Sequence, residues 1–305
     1  MDASTSTKPL DQAIPAAGDG AGSGRGALPN LVVIGAQKCG TSGLHYQLSL
    51  HPEIWMSRPK ELNFFIEERN WPRGAEWYAR HFDPRARARG EASPNYTAYP
   101  QHMGVPERMA SLVPDAKLIY IVRNPLDRIE AHWVHNYAKR REKGDLHATL
   151  MHPNTSYLVR SQYFMQLQQF LRHFPADRVL VLDQDDLRNR RVETLREVFE
   201  FIGVDPSFDH RSFKAVRHRT ERKRRATKLG MRVKALSQTP TGKRIPKVLW
   251  NYAEAGLRLS RPIERPNLRD VLPADVVRTL RDDAEKLREF TGRDFAGWSI
   301  WDLPA

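Results

Sequence analysis

Cysteine is nearly missing from this chain: Cys39 stands alone among 305 residues. That excludes an internal disulfide and any metal site built from several thiolates. Long apolar runs are missing too, none approaching the ~20 residues that span a bilayer. At the N-terminus no basic stretch is followed by an apolar one, so no secretory leader is read there, and a reducing cytoplasm is the expected setting. Negative charge is scarce, with 36 acidic against 49 basic residues and a formal net charge of +13. Such an excess calls for an anionic partner, and charge alone leaves nucleotide, acidic substrate, membrane surface and nucleic acid open.

One further absence is positional. The apolar run Leu31-Val32-Val33-Ile34 leads into Gly35-Ala36-Gln37-Lys38-Cys39-Gly40-Thr41-Ser42 and then into a helical pattern. A strand, a glycine-bearing loop and a helix start together cradle phosphate, because backbone N–H groups and the helix N-terminus point at the anion. The glycines have the spacing of a nucleotide-triphosphate P-loop, yet no lysine follows the second one. Thr41 takes that position and the lysine lies before it, at Lys38. The loop is expected to hold a phosphate without the usual ATP–magnesium apparatus. Cys39, inside it, reads as a small residue fitted beside an anion rather than as a reactive thiol.

Residues 1–28 offer almost nothing to bury and read as a disordered tail. Buried strands are expected at 31–34, 117–122 and 178–182, with helices over about 42–50, 126–137, 161–173, 191–202 and 273–291. Gly203 is a C-terminal stop for the fourth helix. Alternating strands and helices predict one α/β domain over 29–305, a central parallel sheet flanked by helices with a P-loop-like phosphate-binding loop. Residues 214–247 are basic and poor in apolar side chains, and read as a mobile excursion.

Ligands of such sheets bind beyond the carboxyl ends of the strands. Three segments should meet there: the loop 35–42, the run 123–128 after the second strand, and 60–65 after the first helix. Arg123, at a strand end, can fork onto a phosphate, or else pair with Asp127. Asp127 and Arg128 begin a helix and read as structural. Glu61 borders the apolar Phe64-Phe65, where burial would raise its pKa and suit a general base. The plainer reading is a salt bridge with Lys60. His132 and His135, on the helix expected after Arg123, read first as packing or ligand contacts, with a catalytic role as the alternative. The aromatic residues at 55, 71, 77, 78, 96 and 99 read mostly as packing, with an acceptor cleft as the alternative.

The segments Gly35–Gly43, Lys60–Phe65, Gly90–Tyr96 and Arg123–Arg128, in that order, resemble the sulfotransferases that use 3′-phosphoadenosine 5′-phosphosulfate (PAPS). The resemblance is to the branch containing heparan sulfate sulfotransferase domains and many bacterial sulfotransferases. Phe199–Pro206 and Thr291–Trp298 match the same branch, so that about residues 29–300 are covered. The resemblance implies that Lys38, Cys39, Gly40, Thr41, Ser42 and Gly43 bind the 5′-phosphosulfate, with Lys38 on the bridging oxygen. It implies that Arg123 holds the 3′-phosphate and that Glu61 takes the proton from an acceptor hydroxyl. Arg219, Lys223 and Arg224 would lie in a loop closing over the cofactor. PAPS is the implied donor and 3′-phosphoadenosine 5′-phosphate (PAP) the product. No metal is required, because a lysine and backbone donors can stabilise the developing charge. A hydroxyl-bearing small molecule or saccharide is the implied acceptor.

Two positions depart from the family pattern. Ala131 stands where a serine commonly touches the 3′-phosphate, and Ala92 where some relatives carry a lysine. Other function classes stay on the table at this point. A P-loop kinase-like phosphotransferase lacks its Gly-Lys-Ser/Thr here. A nucleic-acid binder would use the basic segment, which has little aromatic interleaving. The chain names neither its acceptor nor its oligomeric state.

Overall fold

The computed structural model describes residues 26–139, 141–142, 146–150, 152, 155–214, 236–237, 239, 263, 267–269 and 272–304. The expected tail up to residue 25 and nearly all of the basic segment 214–247, with Arg219, Lys223 and Arg224, lie outside the described residues.

The chain runs β1 (Leu31–Gly35), α1 (Thr41–Leu48), β2 (Ile54–Met56), α2 (Gly74–Ala79), β3 (Ala88–Ala92), α3 (Val105–Leu112), β4 (Lys117–Val122), α4 (Pro125–Ala138), α5 (Leu146–Leu150), α6 (Ser156–Val159), α7 (Tyr163–Leu171), β5 (Val179–Asp183), α8 (Gln184–Asn189), α9 (Arg191–Ile202) and α10 (Ala274–Thr291). The five strands form one parallel sheet in the order β2-β3-β1-β4-β5. Helices cover both faces, as a parallel sheet requires, and β1 and β4 are apolar and almost wholly buried along their length.

From β1 the chain first builds outward to one side through β2 and β3, then crosses to the other side for β4 and β5. The reversal opens a crevice at the carboxyl ends of β1 and β4, where ligands of open α/β sheets bind. Gly35, Ser93, Arg123 and Asp183 all stand at that edge. The three anticipated strands and five anticipated helices are present within one to two residues at most ends. Gly203 ends α9 in the left-handed conformation at φ 87°, its N–H returned to Phe199 and Glu200 carbonyls.

β2 and β3 were not anticipated. β2 is three residues long, and β3 reads Ala-Arg-Gly-Glu-Ala, with no apolar run to mark a buried strand. Its Glu91 is nonetheless fully buried.

The C-terminal part closes the fold. α10 packs on α7, and the Asp283 carboxylate accepts from Phe164 N at 2.9 Å and Met165 N at 2.8 Å, capping the start of α7. Beyond α10 the buried Trp298 donates through Nε1 to Asp183 at 3.0 Å. Asn124, just after β4, donates to Ser299 Oγ at 2.6 Å. Among the described residues no helix is long and apolar enough to cross a membrane.

Candidate active site

The loop after β1 is pinned by Ala36 N, which donates to Ile121 O of β4 at 2.7 Å. A Cβ on Gly35 would lie 2.0 Å from Thr97 Oγ1, so only glycine lets the strand leave the sheet here. Gly40 sits at φ 100°, which glycine adopts without penalty, and it serves as N-cap of α1. No side chain caps that helix start. Its first N–H groups and the positive end of its dipole therefore face whatever lies over the loop. Lys38 is also left-handed, at φ 77°, a conformation that costs a non-glycine residue and recurs at ligand clamps. Cys39 is fully buried beside Tyr163 Oη at 3.6 Å, and burial pushes its thiol up to about 11. It is a packing residue, in keeping with the reading of it as a small side chain.

Arginines crowd the same end of the sheet. Arg123 donates to Lys38 O at 3.4 Å, which joins two of the expected segments, and to Asp127 Oδ2 at 2.8 Å. Arg123 is thus paired with Asp127, as the plainer reading had it, and it also touches the loop after β1. Arg128, read as structural, is wholly buried and donates to Ser161 Oγ at 2.6 Å and Tyr157 O at 2.8 Å. A further contact runs from Arg128 Nη2 to His132 Nδ1 at 3.2 Å, and since a guanidinium only donates, the imidazole accepts there. His132 is held neutral by burial first, then by the charges of Arg128, Arg160 and Lys38. Arg160 reaches in from the end of α6 and contacts Gln37 of the loop at 3.2 Å. Buried nitrogens without a hydrogen-bond partner include Arg123 Nε, Arg128 Nη1 and Arg160 Nε.

The third segment is a tight turn with Glu61 at φ 66° and Asn63 at φ 48°. Its conformation is fixed from below by Glu91. Ser93 Oγ donates to that carboxylate at 2.6 Å, Tyr78 Oη at 2.7 Å and Tyr96 Oη at 2.5 Å. Two of these hydroxyls then accept from the turn, Ser93 from Asn63 N at 2.9 Å and Tyr96 from Phe64 N at 2.8 Å. Desolvation raises the Glu91 pKa, and the hydroxyl donors oppose that rise. Asn63 Nδ2 closes the turn onto Glu61 O at 2.7 Å.

Glu61 itself is not buried. Its side chain is 44% exposed and lies 2.7 Å from Lys60 Nζ, because the turn points it away from Phe64 and Phe65, which are core residues. The turn is joined to the phosphate loop through Asn95, which donates to Asn63 Oδ1 at 3.1 Å and accepts from Arg160 at 3.1 Å. Of the aromatic residues, Tyr78 and Tyr96 are core and Trp71 and Trp77 pack against it, while Trp55 and Tyr99 are exposed. Ala131 is buried on α4 and Ala92 ends β3 with no exposure. Arg160 lies outside every matched segment, while Gln37, Asn63 and Asn95 lie within them but carry no role legible from spacing. Sequence reading quoted Glu91 without a role, although a carboxylate between a glycine and an alanine that leads into Ser93-Pro94-Asn95-Tyr96 was the available clue.

Comparison with known proteins bears on this edge of the sheet. The Sulfotransferase domain family matches residues 28–243. Human bifunctional heparan sulfate N-deacetylase/N-sulfotransferase 2 is 29% identical over 205 residues, covering 60% of this chain and 23% of that protein. Mouse bifunctional heparan sulfate N-deacetylase/N-sulfotransferase 3 is 30% identical over the same length and share. The chain thus spans 23% of the length of these relatives. The crystal structure of a sulfotransferase from Alicyclobacillus acidocaldarius has the same fold, with TM-score 0.62 and 24% identity, covering 89% of this chain and 99% of that one. With the family match extending over more than half its length, and with the phosphate loop, Arg123 and the Glu61 turn gathered at one sheet edge, the chain belongs to the sulfotransferase domain family.

Proposed function

We propose that this sulfotransferase moves the sulfuryl group of PAPS to a hydroxyl of a small-molecule or saccharide acceptor. The observation that carries the reading is the meeting of an uncapped helix start with several buried arginine donors left unpaired at the carboxyl edge of the sheet. A donor with phosphates at both ends fits that charge and that donor supply. The loop from Lys38 to Gly43 would hold its 5′ end and Arg123 its 3′-phosphate. Ala131 offers no hydroxyl to that phosphate. Arg219, Lys223 and Arg224 are assigned to the same cofactor on the resemblance alone.

Bound PAPS supplies an activated sulfuryl group with a phosphate leaving group. The chain's own residues do the rest. Lys38 and the first N–H groups of α1 stabilise charge growing on the leaving oxygen. Glu61, exposed enough to meet an acceptor and oriented by Lys60, takes the hydroxyl proton. The relatives are named N-sulfotransferases, which makes an amine acceptor the second reading of the same site. We also propose a reducing, cytoplasmic setting, on the strength of the lone unpaired thiol.

The test is a thermal-shift series with PAP, ATP–magnesium and a DNA oligomer. PAP is expected to raise the melting temperature and the other two to leave it unchanged. No response to PAP with a rise for ATP–magnesium overturns the reading. Labelled PAPS offered to phenols, alcohols, sugars and amino sugars then separates hydroxyl from amine acceptors.

A further inference from the structure

Arg160 follows α6 and turns inward until it is 6% exposed. Its Nη1 donates to Gln37 Oε1 at 3.2 Å and Asn95 Oδ1 at 3.1 Å, and its Nη2 to Gln101 Oε1 at 2.6 Å, while Nε has no partner. All three acceptors are neutral amides. Among the described residues no carboxylate pairs with it, and the charges that act on it, from Arg128 and Arg69, have its own sign. Burial first, and those two arginines second, bring its pKa down to about 10. A buried guanidinium with no counter-ion is costly to fold around. An anionic ligand would supply the missing counter-charge.

Position identifies that charge. Gln37 precedes Lys38 in the donor loop, and Asn95 holds Asn63 of the turn that bears Glu61. The guanidinium therefore lies at the seam between the loop that takes the leaving phosphate and the turn that carries the base. In-line transfer passes through that seam: the S–O bond to the phosphate breaks, the S–O bond to the acceptor forms, and the acceptor proton goes to Glu61. We propose that Arg160 is a binding residue for the sulfuryl oxygens of the donor, its Nε–H and the Nη2–H that no amide takes holding the group in transit. This rests on the PAPS reading of the site, and it assigns to an arginine on a distant element the charge that Ala92 does not supply.

PAPS and PAP differ by the sulfuryl group, so their affinities isolate the contact. Calorimetric titration of both nucleotides is to be run on the full chain, on Arg160→Gln and on Arg160→Lys. Arg160→Gln is expected to weaken PAPS binding by about 10- to 100-fold while PAP affinity stays as in the parent. Arg160→Lys, which keeps the charge and loses the fork, is expected to fall between, and it carries the test if the glutamine variant does not fold. Parallel losses for both nucleotides would show that Arg160 merely supports the loop and overturn the proposal. So would unchanged PAPS affinity with a raised acceptor KM, which would place an acceptor group there. A parent protein that binds neither nucleotide overturns the donor reading itself, a result distinct from binding both and losing both.

Discussion

Glu61 and Glu91 divide two demands that a single carboxylate could not meet. A base must reach a proton, and an anchor must not move. Glu61 is open to solvent and tethered only to Lys60. Glu91 is sealed in and spans three hydroxyls, two of which, Ser93 and Tyr96, in turn hold the Glu61 turn in its left-handed geometry. Replacing Glu61 with Gln keeps shape and backbone contacts and removes the proton acceptor. Turnover is expected to fall by about 10²–10⁴-fold, with PAP affinity by calorimetry unchanged. Turnover that survives the change would move the base to another group.

Among the elements, α7 depends on a carboxylate from elsewhere. Asp283 of α10 accepts from the first N–H groups of α7, and burial lifts its pKa from 3.8 to about 6. The folded chain holds this proton more tightly than the unfolded chain does. The stability linked to it is complete below about pH 3.8 and is lost as pH rises through about 6. Asp283→Asn removes that titration. Its stability relative to the parent is therefore expected to improve by up to about 3 kcal/mol between about pH 4 and pH 7.5 in urea melts; a flat difference would show that Asp283 does not titrate in this window. The elements that sequence reading found share one property, a periodic or continuous apolar pattern, as in β1, β4 and α9. It passed over β3 because burial there is made by Glu91 and its hydroxyl partners, which no hydrophobic pattern reports. The loop, Arg123 and Glu61 were legible because local spacing marks them. Arg160 was not, since its importance comes from 123 residues of separation from Gln37, a distance that only folding closes.

At the scale of the whole molecule, the end of the chain returns to the site edge. Trp298 stacks between Phe295 and Trp301 and bonds Asp183 at the end of β5, while Ser299 holds Asn124 at the end of β4. Trp298→Ala is expected to cost about 3–5 kcal/mol in a denaturant melt, from cavity and lost packing together, and to leave a buried carboxylate without its indole donor. A loss well under 1 kcal/mol would mean that the C-terminal closure carries little of the fold. Cys39 has a use beyond the site. As the chain's only thiol, fully buried and with its pKa near 11, it stays silent toward maleimides at neutral pH. A cysteine placed at Met103, which is 63% exposed, would then be the single labelled position in an otherwise native protein. Fluorescence or spin-label reporting of ligand binding follows without first removing any native residue.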